Sequence, residues 1–485
     1  MEQQTDASSV TGSTFAKTSS DHLETKGGGR WSELLAPRYL ATTTMLCMGV
    51  ALYAFNGFLV STVLPTAVAE IGGAELLPWS MTLYLVASIV AGASAALLKQ
   101  RYGARIVLFV AALLFLAGTL AAAFAPDMNT VLFGRICQGV GEGIIAAICY
   151  ALIPEMFPPA LVPKVFGAEA SVWAIAAFGG PVLAGSLTEA VSWRVAFLVN
   201  VPLIALFLFL ALLLVPSGSG ERRRLRFPAL RLCLLSAGLV AMLAAGLTAS
   251  ALATMAVIAG SLLLMLGALR LDGRAGDPIL PQGAFSTRTP LGLGLWVILL
   301  MPLSQATSSV YLVYSLQYLF GYRPTLAGAL GALMAISWSI TAIGVANLRN
   351  ERSRQTTIWL GPLLLVMGFV ALAGAIGTVN IVVLAIAQVT IGAAFGSSWG
   401  YLSQMLMEAT SGSERDKTSA LLPTLQSAGF ALGAALAGIS ANGAGLATAQ
   451  SADAMRTILT LTFAIALIWA IPASLAARRA VRLMR

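Results

Sequence analysis

Long, uninterrupted runs of apolar residues alternate with short polar segments along almost the whole chain. A helix that crosses a membrane needs about 20 apolar residues. The alternating short segments that are typical of a membrane β-barrel do not occur. The pattern therefore predicts an all-α polytopic membrane protein. Its fourteen predicted spans are residues 40–68, 77–98, 104–125, 130–153, 163–187, 195–215, 229–249, 251–270, 290–320, 325–347, 356–376, 379–406, 418–440 and 455–476.

The polar segments divide the chain into five parts. A tail rich in Ser, Thr and Gly is too polar to bury a core, so we expect it to be disordered. Two six-helix bundles on either side of an extra hairpin indicate a secondary transporter, with a substrate site near the membrane midplane between the halves. The predicted parts are a disordered cytoplasmic tail (1–38), an N-terminal six-helix bundle (39–216), a basic linker with a two-helix hairpin (217–272), a C-terminal six-helix bundle (273–477) and a basic cytoplasmic tail (478–485).

The distribution of basic residues predicts the orientation. Of the 29 lysines and arginines, all but four lie in the two tails or in the loops on the same side as the tails. Cytoplasmic loops are enriched in Lys and Arg, so both termini are predicted to be cytoplasmic. The net charge of +9 then faces anionic lipid, which argues against nucleic acid as a partner. The four exceptions are Arg135, within a span, and Arg194, Arg323 and Arg456, in loops on the opposite side.

Composition excludes several classes of protein. Hydrophobic residues make up 58% of the chain and charged residues only 10%, against about 25% charged in a soluble domain, which excludes a water-soluble enzyme. The single histidine, His22, lies in the polar tail, and the four cysteines lack metal-ligand spacing, so we expect neither a metal nor a cofactor. Neither a P-loop for ATP nor the filter loop of a channel is found. Energy for transport must therefore come from an ion gradient or from the substrate's own gradient.

Several motifs in order along the chain resemble those of a known transporter family. Leu132–Glu142 contains R-x-x-Q-G-x-G, Gly179–Gly185 is similar to G-P-x-x-G-G with Ala184 in place of one glycine, and Trp193–Pro202 matches W-R-x-x-F-x-x-N-x-P. Over residues 40–476 the chain resembles the fourteen-span drug:proton antiporters of the major facilitator superfamily. The resemblance implies the major facilitator fold, in which two bundles rock around a central cavity.

Two positions depart from the family pattern. The motif between the second and third spans keeps Gly103 and Arg105 but has Gln100 where the family has an aspartate. In the first span, Asn56 stands where an acid is common. A carboxylate associated with gating and another associated with proton coupling or cation binding are thus missing, which weakens the expectation of proton coupling.

Ionisable residues inside a span are costly and mark functional positions. Arg135, Glu142 and Glu169 are the three predicted here, and we assign them to proton coupling. Arg135, Gln138 and Glu142 are spaced to share one helix face. The alternative for that face is a hydrogen-bonded cluster that orients the helix. Glu169 is a second proton site, part of an inner gate, or a side chain that extends to the interface near Lys164.

The remaining predicted site residues are aromatic, amide and glycine positions. Aromatic faces suit lipophilic or cationic ligands, although packing explains any single one of them equally well. The predicted substrate cavity comprises Asn56, Gln138, Tyr84, Trp173, Tyr314, Gln317 and Trp338. The predicted gating positions are Gly103, Arg105, Gly180, Pro181 and Gly185.

The resemblance implies export of amphipathic, drug-like molecules by proton antiport. We expect a multi-pass monomer in a bacterial cytoplasmic (inner) membrane, with the small molecule, protons and membrane lipid as its partners. Two alternatives stay open: transport of a lipid or lipid-like substrate, and an uncoupled facilitator or ligand sensor.

Overall fold

The structure is a computed structural model that describes residues 30–72, 76–217, 228–245, 250–322, 324–446, 449 and 451–484. The described residues fold into α-helices joined by short connections, with one turn of 3₁₀-helix before α6. The helices are α1 (Trp31–Leu34), α2 (Pro37–Ile71), α3 (Leu77–Tyr102), α4 (Ala104–Ala123), α5 (Met128–Met156), α6 (Val162–Ala190), α7 (Trp193–Leu198), α8 (Asn200–Leu214), α9 (Ala229–Ala244), α10 (Ala251–Gly273), α11 (Pro290–Tyr318), α12 (Pro324–Val345), α13 (Glu351–Thr378), α14 (Ile381–Glu408), α15 (Gly412–Gly443), α16 (Ala452–Ile465) and α17 (Leu467–Leu483).

Thirteen segments of the described chain are long and apolar enough to cross a membrane. They include α7 with α8, and α16 with α17, each pair counted as one span. Each predicted span corresponds to a helix within the described residues, but α9 is only 16 residues long. That is short of the roughly 20 residues that cross a bilayer, so thirteen spans are found where fourteen were predicted. The predicted end of this span, 246–249, lies outside the described residues.

The N-terminal tail becomes ordered earlier than predicted. Residues 1–29 lie outside the described part of the chain, but α1 begins at Trp31, inside the segment that was expected to be disordered. The Trp31 ring packs against Gly167 of α6, where a methyl group on the glycine would lie 2.9 Å from the ring. Trp31 and the buried Leu34 thus supply apolar contacts that a composition dominated by Ser, Thr and Gly concealed.

The helices form two bundles, α2–α8 and α11–α17, with the hairpin α9–α10 between them in sequence. The bundles meet along two seams: α6 packs against α12 and α14, while α3 and α5 pack against α15. The hairpin covers the second seam. Its residue Leu239 is buried in an apolar cluster with Ile89 of α3 and Ala431 of α15, so α9 contacts both bundles.

Polar side chains fix where several helices begin. Asp127 accepts hydrogen bonds from the backbone N–H and hydroxyl of Thr130 at the start of α5, which lowers the pKa of the Asp127 carboxyl. Side chains at six other helix starts accept a backbone N–H in the same way: Ser192, Ser250, Thr289, Asn350, Asn380 and Ser451.

Glycines on α5 allow this helix to approach its neighbours closely. A Cβ at Gly139 or Gly143 would overlap the backbone carbonyl of Tyr84 or Ser88, both on α3. Only glycine leaves room for that contact. Gly139 of the R-x-x-Q-G-x-G motif and Gly143, two residues after the motif, therefore allow α5 to pack closely on α3, which places the polar face of α5 inside the N-terminal bundle.

Candidate functional site

The polar face predicted on α5 is fully buried. Arg135, Gln138 and Glu142 all have no exposed surface. The Arg135 guanidinium donates a hydrogen bond of 2.8 Å to the Gln138 amide oxygen, and the Gln138 amide nitrogen donates one of 3.0 Å to the Thr119 hydroxyl on α4. The spacing that predicted a shared face is thus confirmed, and the cluster ties α5 to its neighbour.

Arg135 has no carboxylate partner among the described residues. Its guanidinium carbon lies 3.9 Å from the centre of the Tyr84 ring, within the range of a cation–π contact. It also donates to the Ser80 backbone carbonyl at 3.4 Å. An aromatic face, a carbonyl and an amide therefore surround a positive charge that no neighbouring negative charge neutralises through a salt bridge.

Glu142 is held by a chain of amide side chains. Asn56 of α2 donates to Glu142 Oε2 at 3.2 Å, and Asn200 of α8 donates to Asn56 Oδ1 at 3.4 Å. All three residues are fully buried. The second carboxylate oxygen, Oε1, makes no hydrogen bond within the described chain. The asparagine that replaces the common acid of α2 thus lies beside the acid of α5, so the two positions belong to one site.

Glu169 lies in a small cavity between the two bundles. Only 2% of its surface is exposed, and neither carboxylate oxygen makes a hydrogen bond within the described chain. In this conformation the Glu169 side chain is buried and does not extend to the interface, and Lys164 donates to the Ala346 carbonyl of α12. Trp173 and Tyr150 line the cavity from the first bundle, and Trp338, Trp399 and Gln426 line it from the second.

The bundles are closed around this position. The Glu169 cavity measures about 20 Å³, as does a neighbouring cavity lined by Tyr53 and Ser427. One water needs at least about 10–15 Å³ on this measure, so each cavity holds about one water and no drug-sized molecule. The Tyr53 and Ser427 hydroxyls lie 3.0 Å apart and join α2 to α15. A substrate site at this depth therefore requires the bundles to separate.

Polar contacts between the bundles gather at one end of the molecule, which we call the basic end and define by Lys99, Lys164 and Asp416. Lys99 of α3 bonds to Asp416 of α15 at 2.7 Å and also pairs with Glu155 of α5. Gln404 of α14 donates to the Pro159 carbonyl. Together with the Lys164 contact, these bonds hold the bundles together at the basic end.

The residues predicted to form the substrate cavity fall into three groups. Trp173 and Trp338 line the Glu169 cavity, as expected. Tyr84, Asn56 and Gln138 instead lie in the buried polar cluster of the N-terminal bundle. Tyr314 and Gln317, near the end of α11, are half-buried and lie apart from both groups; the Tyr314 ring is 4.4 Å from that of Tyr318. Their role in binding stays a prediction.

Within the described residues, no three His, Cys, Asp or Glu side chains cluster in a way that could hold a metal ion.

Residues 46–434 match the Major Facilitator Superfamily over most of the chain. The chain belongs to this superfamily. Its members are transporters, so the expectation that the protein is not an enzyme holds, and the protein is a multi-pass membrane transporter.

Two bacterial relatives of this superfamily member have names that specify a role. A probable multidrug-efflux transporter of Mycobacterium tuberculosis is 31% identical over 457 residues, which cover 90% of this chain and 96% of the relative. A multidrug transporter protein of Bacillus subtilis is 24% identical over 336 residues, which cover 68% of this chain and 62% of the relative.

Solved structures support the major facilitator fold. The human organic anion transporter MFSD10 superimposes with a TM-score of 0.63 at 15% identity, covering 90% of this chain and 99% of the other. A proton:xylose symporter superimposes with a TM-score of 0.60 at 16% identity, covering 88% of this chain and 94% of the symporter. At these identities the likeness concerns the fold alone.

The predicted gating positions of this superfamily member differ in their contacts. Gly103, between α3 and α4, has a φ of 80°, a conformation that favours glycine, and Arg105 follows in the first turn of α4. A Cβ on Gly180 would lie 3.1 Å from Phe58 of α2, within the same bundle, whereas one on Gly185 would meet open space. Pro181 lies within α6 beside Gly180.

Sequence reasoning missed the ion pairs at the basic end. The sequence shows that Gln100 lacks the carboxylate that the family has at this position. The structure shows that the neighbouring Lys99 carries a positive charge there and pairs with the carboxylate of Asp416 from the other bundle. Gln100 itself donates to the Ser413 carbonyl at 3.5 Å. A lysine directly before the altered motif position was the available signal, but its partner is 317 residues away along the chain.

Proposed function

We propose that the protein exports amphipathic, drug-like small molecules across a bacterial cytoplasmic membrane by proton antiport with alternating access. The names of the bacterial relatives support the substrate class. The observation that carries proton coupling is Glu142, a fully buried carboxylate with one oxygen bound by Asn56 and the other without a hydrogen bond in the described chain. Burial disfavours the ionised form of a carboxyl group, so such a group is suited to bind and release a proton.

In this proposal, the charge on Glu142 is linked to the facing state of the bundles. Protonation of Oε1 removes the negative charge while Asn56 stays bound to Oε2. Arg135, on the same helix face, then keeps its positive charge with no nearby anion. Differential stabilisation of a few kcal/mol is enough to reverse the populations of two conformations. Glu169, between the bundles, is the second proposed proton site, because it becomes accessible when the bundles separate.

The proposed topology follows the fourteen-span branch, with both termini in the cytoplasm. The hairpin α9–α10 then accounts for two helices, although α9 as described is short for a span. With this orientation the basic end faces the cytoplasm, and the polar contacts of Lys99 and Lys164 close the transporter on that side. The conformation described here is then closed to the cytoplasm.

Transport into liposomes tests this function. Purified protein is reconstituted with a pH gradient, and accumulation of ethidium, an amphipathic cation, and of a neutral naphthylamine dye is measured. We expect gradient-driven accumulation by the native chain and a loss of at least about tenfold in Glu142→Gln. Glu189→Gln is the matched control, since Glu189 lies at the exposed end of α6. Gradient dependence that survives in Glu142→Gln would exclude Glu142 as the proton site.

A further inference from the structure

A second, larger cavity lies away from the central site, at the seam between the bundles. It measures about 160 Å³ and is walled by Ile89 of α3, Leu425 of α15, and Leu239 and Ala268 of the hairpin. Its lining is apolar except for Arg231, Asp272 and Thr424. Apolar cavities of this size stay dry and accept an apolar molecule.

The hairpin forms a fixed wall of this cavity. Ser261 of α10 donates a hydrogen bond of 2.7 Å to the Gly238 carbonyl of α9, which joins the two hairpin helices. Arg231 pairs with Asp272 and donates to the Asp277 carbonyl, and Asp272 also accepts the backbone N–H of Ile279. These bonds fasten the hairpin to the segment that leads into the C-terminal bundle. An unfilled void beside such a fixed wall costs stability, because the lining side chains lose contacts.

The two helices of the hairpin have one side toward the cavity and another away from the protein. On α10, Ala268 is 5% exposed and lines the cavity, whereas Leu263 is 71% exposed. An exposed apolar helix face on a membrane protein faces lipid. The hairpin therefore lies between part of the cavity and the hydrocarbon of the bilayer, but it does not seal the cavity, which is only partly enclosed.

Thr424 lies between the hairpin cavity and a small cavity that leads to the central site. Thr424 of α15 lines both the hairpin cavity and the small cavity that contains Tyr53 and Ser427. That small cavity in turn shares Trp173 and Gln426 with the cavity of Glu169. Across the seam, Thr424 faces Gly92 of α3, where an added Cβ would lie 2.6 Å from the threonine hydroxyl. The cavities thus form a series from the hairpin to the centre.

We propose that the hairpin cavity is an entry site for lipophilic molecules from the bilayer, which bind there with their hydrocarbon portion before they pass Thr424 toward the central cavity. The apolar lining binds the hydrocarbon portion, and the ion pair of Arg231 with Asp272 binds a polar group of the same molecule. This inference rests on the proposed export of amphipathic compounds. It assigns a function to the hairpin, which the resemblance to other transporters leaves without one.

Photolabelling of the full-length protein in lipid nanodiscs tests the proposal. The probe is a long-chain alcohol that carries a diazirine, and adducts are located by mass spectrometry. We expect adducts on cavity-lining residues such as Leu235, Leu239 and Met265. Ala268→Phe fills the cavity and is expected to lower their yield about tenfold, whereas Leu263→Phe, on the outer face of the same helix, leaves the yield unchanged. Leu239→Ala enlarges the cavity and should raise the yield of adducts. This second variant keeps the proposal testable if Ala268→Phe does not fold.

Competition separates a substrate site from a structural lipid site. Excess naphthylamine dye is expected to displace the probe in the native protein. Displacement by added phospholipid but not by the dye would mean a lipid site only, and equal labelling in Ala268→Phe would mean nonspecific contact; either result overturns the proposal. Labelling does not depend on a proton gradient. Loss of gradient-driven transport with labelling intact would therefore reject the proposed antiport and leave the cavity standing.

Discussion

At the scale of single residues, the buried acid Glu142 of α5 lies beside Asn56 of α2, which stands where an acid is common in the family. The sequence predicted that Arg135, Gln138 and Glu142 share a face, because helical spacing alone decides that. It did not predict that Asn56 binds Glu142 or that Asn200 binds Asn56, because those contacts join helices far apart in the sequence. Hydropathy and spacing do not determine which helix faces meet, so the polar partners of a buried acid became visible only in the folded chain.

Replacing Asn56 tests the amide chain directly. Asn56→Leu removes the donor to Glu142 and the acceptor for Asn200 while keeping a side chain of similar size. Leaving buried polar groups without partners is expected to cost about 1–3 kcal/mol of stability. Thermal unfolding in detergent measures this cost. Asn442→Leu, at the exposed end of α15, serves as the control, and equal stability of both variants would contradict the role given to Asn56.

At the scale of helices, the apolar runs predicted nearly every element, because length and hydropathy suffice for a spanning helix. The apolar runs were insufficient where packing between particular side chains determines the structure. The α1 helix packs on the first bundle through Trp31 and Leu34 although it lies in a polar segment, and α9 is described over only 16 residues. The close approach of α5 to α3 depends on glycines that a hydropathy pattern counts only as neutral residues.

Gly143→Ala tests this close approach. The added methyl group would overlap the Ser88 carbonyl, and a backbone atom cannot move aside as a flexible side chain does. We expect a loss of about 1–3 kcal/mol, seen as a lower unfolding temperature and a lower yield of monodisperse protein. Gly179→Ala is the matched control, because nothing lies within 4 Å of an added Cβ there. A destabilised Gly179→Ala with an unchanged Gly143→Ala would contradict the packing described.

A pH-dependent link joins α2 to α7 at the end opposite the basic end. Arg194 and Trp193 donate hydrogen bonds to Glu70, and these hold the pKa of its carboxyl below the ordinary value of 4.5. A depressed pKa in the folded protein means that the stabilisation is complete above pH 4.5 and is lost as the pH falls through the lower value. Glu70→Gln should therefore unfold at a lower temperature than the native chain at pH 7, with the difference shrinking in acid. A difference that grows in acid would reverse this assignment.

At the scale of the whole molecule, alternating access requires that the contacts between bundles be reversible. The ion pair of Lys99 with Asp416 crosses the seam, whereas that of Lys99 with Glu155 stays within one bundle. The family resemblance predicted two bundles and a gate near Gly103 and Arg105. It did not predict the ion pair of Lys99 with Asp416, because the two residues lie in different bundles and 317 residues apart along the chain.

Removing each carboxylate partner of Lys99 in turn tests whether the ion pair across the seam acts as a gate. Asp416→Asn weakens the bond across the seam and is expected to raise the fraction of molecules open at the basic end about tenfold. Glu155→Gln removes the other partner of Lys99 and should leave that fraction nearly unchanged. Distances between spin labels at positions 102 and 408 report the opening, in a background without the four native cysteines. An equal response of both variants would show that the ion pair does not gate.

The cation of Arg135 also connects the protein to membrane voltage. An arginine side chain keeps its charge in proteins, and no carboxylate of the described chain forms a salt bridge with this one. Whether the α5 cluster is neutral or positive overall therefore depends on the proton carried by Glu142. One elementary charge that crosses the full electric field corresponds to about 2.3 kcal/mol per 100 mV. In the proposed proton antiport, any step that carries this cluster through part of the field draws on the electrical component of the proton-motive force as well as on the difference in pH.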